Sequence, residues 1–423
     1  MARPRTSYDV VIAGTGIAAA ATALRLTALG LKPLMLARTC RVSTGVEAIP
    51  ATALPLFKEL HAESILEEAG ATLVQGFENY WDPEQPRMQS GDWIHVERDR
   101  LATAAVREAL RRGASFRVVQ TLPVVLCESE CIRICVEGTP LRFDAVIDAT
   151  GRAAVWSRPI RRRGNQVADL YDIVPGQKSA SAKILRLSAG WAYSIGSPGH
   201  TSVAILSSES RRRQISDSLI EATFCISESS AHYCGRRPAF TQWSDNPING
   251  RRIAVGDAAL AYNPLAGQGI RFALSSAITA SSVINTWQTA PSHATAAERF
   301  YRAFVARSRD DHFRFVDHWQ THSSPPSIEK AMPVPEAVTF SDQIVPAEMQ
   351  MNGEIRTDLA FRLPDGECVR WVGGTDLLEL RNSLPATIRL ADLTARLTAA
   401  TGDLSRARAL LQWCLRSQVL RIP

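Results

Sequence analysis

The apolar positions at the N-terminus fall into three blocks. Residues 8–13 read as a largely apolar strand, residues 16–29 as an alanine-rich stretch of helical length, and Leu31–Leu36 as the next strand. Short apolar runs flanking a helix predict a β-α-β unit, and with it a parallel sheet in an α/β fold. Residues 40–55 read as a loop leading into a helix. Over 98–112 the apolar positions Leu101, Ala105, Val106 and Leu110 recur on one side of an amphipathic helix. Strands are predicted at 116–126 and 131–136, then a turn at Glu137-Gly-Thr-Pro. The strand Ala145–Ile147 follows, running into Asp148-Ala-Thr150-Gly151-Arg152. Residues 153–250 read mainly as β, with apolar alternation around 181–206, and 270–290 and 295–320 read as helices.

Beyond 323 the pattern changes. Ser323-Ser-Pro-Pro and Pro333-Val-Pro-Glu interrupt all periodicity. Proline clusters of this kind punctuate structure, so 331–352 reads as a linker. From 353 a β-like part (Leu359–Val372), two helical patterns (Leu390–Leu397 and Leu404–Leu415) and Val419-Leu-Arg-Ile suggest a small α+β module, winged-helix-like in its order. No internal repeat is present.

The length of 423 residues suits two or three domains. The net charge of +6 comes mostly from arginine, since only five lysines occur. That balance favours an acidic ligand or partner, a pyrophosphate first. Basic patches interleaved with aromatics are absent, which argues against nucleic acid. No stretch reaches the ~18 apolar residues of a membrane span. The segment Met-Ala-Arg-Pro-Arg-Thr-Ser lacks the apolar core and cleavage site of an export signal, so a cytoplasmic protein is expected. The eight cysteines include no C-x-x-C pair. Cys127, Cys131 and Cys135 match no zinc or cluster spacing, and structural thiols in a reducing cytosol are expected. His312, His318 and His322 fall on one predicted helix without the H-E-x-x-H pattern; they read as surface or interface histidines, and no metal is expected.

Two glycine-rich segments carry the chemistry. The first, Gly14-Thr-Gly16-Ile-Ala-Ala19, follows a strand and opens a helix. There Gly14 permits a tight turn, Gly16 lets backbone approach a pyrophosphate, and Ala19 allows close helix–strand packing. A tight turn in an ordinary α/β protein is the plainer alternative. The slot about 20 residues on, normally acidic to hold a ribose, reads Leu36-Ala37-Arg38-Thr39; Arg38 there suits either a 2′-phosphate, and hence NADP, or a place near adenine or phosphate, the reading that fits FAD. The second segment is Gly256-Asp257, followed by Pro264, Gly267 and Gly269 after the strand Arg252-Ile-Ala-Val.

Together and in this order, the two segments resemble the FAD-dependent monooxygenase and tryptophan halogenase superfamily. The resemblance implies a Rossmann-like FAD-binding domain of the glutathione-reductase type over 1–330. A β-rich substrate domain would be interleaved at about 60–95 and 155–245. In that family an Arg-x-x-Leu at a helix start supports FAD, which Arg98 matches. Asp148-Ala-Thr150-Gly151 resembles the segment running beneath the adenosine half. Asp257 would accept a hydrogen bond from the ribityl chain, and Pro264, Gly267 and Gly269 would aim a helix N-terminus at the flavin pyrimidine edge. Gly45-Val-Glu47-Ala-Ile49-Pro50 resembles a loop close to the isoalloxazine, making Glu47 the candidate catalytic or flavin-tuning carboxylate; loop capping is its alternative role.

The branch narrows on three segments. Trp191-Ala-Tyr193-Ser-Ile195-Gly196 stands where tryptophan halogenases carry W-x-W-x-I-P. Ala71-Thr72-Leu73-Val74 stands where they carry Ala-Thr-Phe-Lys, and valine cannot take up hypohalous acid. Asp148-Ala-Thr is also not the Asp-Gly motif of the phenol hydroxylase branch. With the added tail module, the pattern most resembles the flavoprotein monooxygenases that mature tryptophylquinone cofactors, of the kind acting on the quinohemoprotein amine dehydrogenase small subunit. That resemblance implies hydroxylation of a tryptophan side chain in a protein or peptide through a flavin C4a-hydroperoxide. O2 would be co-substrate, and FAD would be reduced by NAD(P)H or a partner flavin reductase, since no second dinucleotide unit is present. Another maturation enzyme would be a further partner. The alternatives are a halogenase or hydroxylase of a small aromatic metabolite, a non-catalytic FAD-binding maturation adaptor, and a reductase of an isoprenoid double bond.

Overall fold

Strand β1 (Val10–Ala13) is buried at every position, as a strand covered on both faces must be. It lies inside a six-stranded sheet with β2 (Pro33–Arg38), β6 (Ser115–Val119), β10 (Ala145–Asp148), β18 (Ile248–Asn249) and β19 (Arg252–Ala254). Their order is β18-β19-β10-β1-β2-β6, and all neighbours are parallel except β18 against β19. The computed structural model describes residues 8–38, 45–82, 86–127, 132–173, 180–187, 190–208, 231–321 and 335–422. Cys131 and His322 lie outside them. Helix α1 (Ile17–Ala28) connects β1 to β2. The short helices α2 (Leu54–Glu59) and α3 (Ser64–Glu68) precede α4 (Arg98–Arg111). Both α4 and the long α5 (Gly269–Thr289) pack on α1, whose alanines permit close approach. The next helix is α6 (Ala294–Thr321).

The second sheet has eight strands. These are β3 (Val46–Pro50), β4 (Thr72–Tyr80), β5 (Arg87–Glu97), β12 (Gln166–Ile173), β13 (Ala182–Leu187), β14 (Gly190–Ser197), β15 (His200–Ser208) and β16 (Ala231–Pro238). The order is β16-β12-β15-β14-β13-β4-β5-β3, with β13 and β4 the parallel pair. Register pairs Trp191 with Leu206, Tyr193 with Ala204 and Ile195 with Ser202, which puts these six side chains on one face. Strand β3 corrects the expected loop at 45–50: Val46, Glu47 and Ala48 pair antiparallel with Glu97, Val96 and His95. Five residues are too few for alternation to reveal an edge strand.

Two three-stranded sheets complete this unit. One joins β7 (Val125–Cys127), β8 (Ile132–Val136) and β9 (Thr139–Phe143); the other joins β11 (Ile160–Arg163), β17 (Thr241–Ser244) and β20 (Leu260–Ala261). The single strand expected over 116–126 is two strands in different sheets, because Pro123 interrupts it and cannot donate to a ladder.

Contacts divide the chain into two compact units. They are Met1–Ala294 with Tyr301–Pro326, and Thr295–Phe300 with Ser327–Pro423. The second unit holds β21 (Ala337–Phe340), β22 (Ile344–Met351), β23 (Glu354–Arg362), β24 (Cys368–Val369), β25 (Trp371–Val372), β26 (Thr375–Asp376), β27 (Thr387–Arg389) and β28 (Leu420–Arg421). Its helices are α7 (Leu377–Asn382), α8 (Leu390–Thr401) and α9 (Leu404–Arg416). A core including Val338, Phe361, Leu393, Leu397, Leu410 and Leu411 knits them together. Of the linker expected over 331–352, residues 331–334 lie outside the described residues, and β21 and β22 occupy most of the rest. Pro346 hid β22, and it is tolerated because β22 is the edge of the β22-β23-β24 sheet. Asp376 caps α7 and Asp403 caps α9, each accepting two backbone N–H bonds. Among the described residues, no helix is long and apolar enough to cross a membrane.

Candidate active site

The turn after β1 can be built only with glycine. Gly14 has φ +128°, and a Cβ there would lie 2.3 Å from the Ala149 carbonyl oxygen at the end of β10. Gly16 has ordinary φ and is the N-cap of α1; a Cβ there would meet nothing within 4 Å. Its lack of a side chain therefore serves the space above it rather than packing. No acidic residue occupies the first turn of α1 and no side chain caps it, so its N–H groups and positive dipole end stay unneutralised. Ala19 is fully buried, as close helix–strand packing requires. These features fit a pyrophosphate. Arg38 ends β2 in an exposed position on the same edge of the parallel sheet.

Thr150 and Gly151 follow β10. The Thr150 hydroxyl donates to Asp148 Oδ1 (2.6 Å) and accepts from the Val155 N–H, so it braces the turn. Asp148 is fully buried and also accepts from the Trp156 N–H. Gly151 turns the chain at φ +64° and leads to Arg152. Sequence reasoning assigned Arg152 no role, yet it is held by the carbonyls of Phe240 and Tyr262 and reaches within 3.9 Å of Asp257. Burial lowers the Arg152 pKa, with Asp257 opposing.

The second glycine segment meets the first. Gly256 adopts φ +55°, and a Cβ there would lie 2.7 Å from Ala18 Cβ on α1. Asp257 follows in a 3₁₀ turn, Gly256–Ala258. Its side chain is 42 % exposed, yet burial is the main influence on its pKa and raises it, against Arg152 and Arg98. The carboxylate is ringed by protein but still reachable by solvent, as a group set in a recess is. Arg98, 47 % exposed, stands in the same recess. Glu47 above all raises its pKa, burial opposes the rise, and Tyr193 and Asp257 add to it.

Glu47 on β3 and Arg98 at the start of α4 are an ion pair: Arg98 Nε donates to Glu47 Oε1 at 2.5 Å. The Arg98 N–H also donates to the Gly45 carbonyl at 2.9 Å. Tyr193, on the inner face of the eight-stranded sheet, completes the group. Burial above all pushes its hydroxyl up to about 12, with Glu47 adding to the shift and Arg98 opposing it. The Trp-x-Tyr spacing was the sequence signal for Tyr193, because residues two apart in a strand share a face. Trp191 itself is buried in a cluster with Trp81 and Trp319, so it packs the sheet.

Pro264 opens a 3₁₀ turn, Pro264–Ala266, that Gly267 ends at φ +59°. Gly269 then begins α5, whose first turn also lacks any acidic residue. Trp93 packs over Gly267, 3.4 Å from where a Cβ would stand, and Phe77 meets Trp93 edge-on. Val74 pairs with Trp93 across β4 and β5.

His312 departs from the surface position expected of it: it is 4 % exposed. Its Nε2 accepts from the Asn263 N–H (3.1 Å), lies 2.9 Å from Thr241 Oγ1, and its ring stacks on Tyr262 at 4.4 Å. The Asn263 side chain in turn caps the Pro264 turn by accepting from Leu265 N–H. Burial lowers His312 to about 4, so it serves as a neutral acceptor that seats this loop. Among the described residues, no group of three or more His, Cys, Asp or Glu side chains could hold a metal ion.

Two glycine turns and two bare helix N-termini thus stand near the Glu47–Arg98 pair and Asp257. The chain has the fold of the flavin-dependent halogenases. CmlS, a flavin-dependent halogenase, aligns with a TM-score of 0.74 at 14% identity over 98% of this chain and 96% of its own. QhpG is a peptidyl tryptophan dihydroxylase essential for tryptophylquinone cofactor biogenesis. It aligns with a TM-score of 0.67 at 22% identity over 96% of this chain and 98% of its own. The myxobacterial chondrochloren halogenase CndH matches 74% of this chain and 82% of its own, at 19% identity and a TM-score of 0.65. No family model and no curated protein sequence matches the chain.

Proposed function

We propose that the chain is an FAD-dependent monooxygenase that hydroxylates a tryptophan side chain of a protein or peptide during tryptophylquinone cofactor biogenesis. The observation that carries this reading is the 22% identity to the peptidyl tryptophan dihydroxylase along nearly the whole of both chains, against 14% to the equally long halogenase match.

In this reading Gly14, Gly16 and the N-terminus of α1 hold the pyrophosphate of FAD, and Arg38 lies on the adenine side. Thr150 and Gly151 shape the floor beneath the adenosine. Gly256 brings Asp257 to the ribityl chain, and Pro264, Gly267 and Gly269 direct the N-terminus of α5 at the pyrimidine edge. That dipole stabilises negative charge arising there. When bound, FAD supplies the redox chemistry, with O2 as co-substrate and NAD(P)H or a flavin reductase as electron source. The protein's own work is to hold Arg98 and Glu47 beside the flavin and Tyr193 over the substrate side. The C-terminal module suits a macromolecular substrate, because it offers a second surface for docking. A cytoplasmic location goes with this proposal.

Halogenation is the second reading, favoured by the higher TM-score of the halogenase match. Val74 at the lysine position speaks against it. The test is mass spectrometry after aerobic incubation of reduced, FAD-loaded protein with a tryptophylquinone-enzyme precursor subunit or free tryptophan, with and without bromide. A gain of one or two oxygens on a tryptophan of the precursor is expected. Modification of free tryptophan alone, or a bromine mass shift, would overturn the proposal.

A further inference from the structure

The Glu47–Arg98 pair is built into a closed ring of polar contacts centred on Asp172, a residue no motif contains. Asp172 lies on β12 with its side chain 13 % exposed. Its Oδ1 accepts from the Ser202 hydroxyl at 2.8 Å, and its Oδ2 from the Cys234 thiol at 3.2 Å. Ser202 Oγ in turn accepts the Val46 N–H at 2.9 Å. Val46 immediately precedes Glu47. In the other direction, His200 Nε2 stands 3.2 Å from Asp172 Oδ1, and His200 Nδ1 stands 3.7 Å from Glu97 Oε2. Glu97 immediately precedes Arg98 and is paired with Arg100. The Arg98–Glu47 contact and the Arg98 N–H to Gly45 carbonyl bond close the ring.

The physical consequence is a shared anchor. A buried carboxylate must be matched by donors. Burial would raise the Asp172 pKa, but the hydrogen bonds from Ser202 and Cys234, with His200 close by, outweigh it and lower it. The ionised Asp172 thus fixes Ser202, which holds Val46, the residue before Glu47, while His200 stands between Asp172 and Glu97. Gly45, whose φ of +115° favours glycine, precedes this contact, and a Cβ there would meet Ser202 Oγ at an ordinary 3.5 Å.

The geometry points to Asp172, acting through Ser202, as the positioning residue for the Glu47–Arg98 pair and so for the flavin environment. The link to flavin rests on the function proposed above; the link to the ion pair does not.

The test separates the two. Hydrogen exchange of the FAD-free protein is compared for wild type, Asp172→Asn, Ser202→Ala and the hydroxyl-keeping Ser202→Thr. Exchange in peptides covering 45–50 and 96–101 is expected to quicken roughly tenfold together in Asp172→Asn and Ser202→Ala, the size of one lost charged hydrogen bond, and to recover in Ser202→Thr. Acceleration confined to 166–173 and 200–208 would overturn the proposal. FAD affinity is measured on the same proteins and should fall about tenfold with the same pattern. Wild type that fails to bind FAD would sink the monooxygenase reading, while the exchange result would still decide the role of Asp172.

Discussion

Gly256 and Ala18 touch where the two glycine segments cross: the missing side chain of Gly256 leaves room for the Ala18 methyl on α1. The contact makes Gly256 a packing residue as much as a site residue, and it locks the Asp257 turn onto the helix that would receive the pyrophosphate. The same test applied to Gly14 and Gly16 gives opposite answers. Gly14→Ala and Gly256→Ala should each destabilise by about 2–4 kcal/mol through positive φ and overpacking. Gly16→Ala, an N-cap change without a clash, should cost at most about 1 kcal/mol in urea unfolding yet weaken FAD binding. A Gly16→Ala protein that binds FAD normally would remove that residue from the site.

Arg98→Lys keeps the positive charge but loses the Nε donor to Glu47. A lysine is a point charge where a planar fork is needed, so FAD affinity should drop roughly tenfold. Quenching of FAD fluorescence on titration gives the number directly. Unchanged affinity would mean that only the charge matters.

The His312 shift predicts a pH dependence of stability. Its pKa is about 4 in the folded protein against an ordinary 6.5, so between these values the unfolded chain binds the proton more readily. Stability is therefore full above pH 6.5 and falls as pH drops toward 4, by about 3 kcal/mol from this group alone. Denaturation midpoints across that window should slope less in His312→Gln than in wild type. Equal slopes would show that His312 is not the group being titrated.

Tyr193 should stay protonated throughout the working range, because its hydroxyl is held up to about 12, chiefly by burial. Tyr193→Phe is expected to lower kcat about tenfold through loss of a positioned donor. The pH–rate profile between 7 and 10 should keep its shape. An alkaline limb near pH 10 that vanishes in Tyr193→Phe would contradict this account.

What the sequence determined lies in local chemistry. The β-α-β opening, the amphipathic α4, the long α5 and α6, and the tail helices were legible because periodicity and glycine placement act within a few residues. The structure brings Glu47 and Arg98 together and sets Asp257 in the same recess, although they were read from three separate segments. Other features depended on pairing across the chain. Strand β3 is too short to announce itself, and β22 hides behind Pro346, tolerated only because that strand is an edge. His312 looks like a surface histidine until α6 carries it against Tyr262 and Asn263. Asp172 sits in no motif, because its partners Ser202, Cys234 and His200 come from other strands of the sheet. Backbone conformation follows from neighbours in sequence, whereas the charge, burial and bonding of a side chain are set by neighbours in space, and only the folded sheet supplies those.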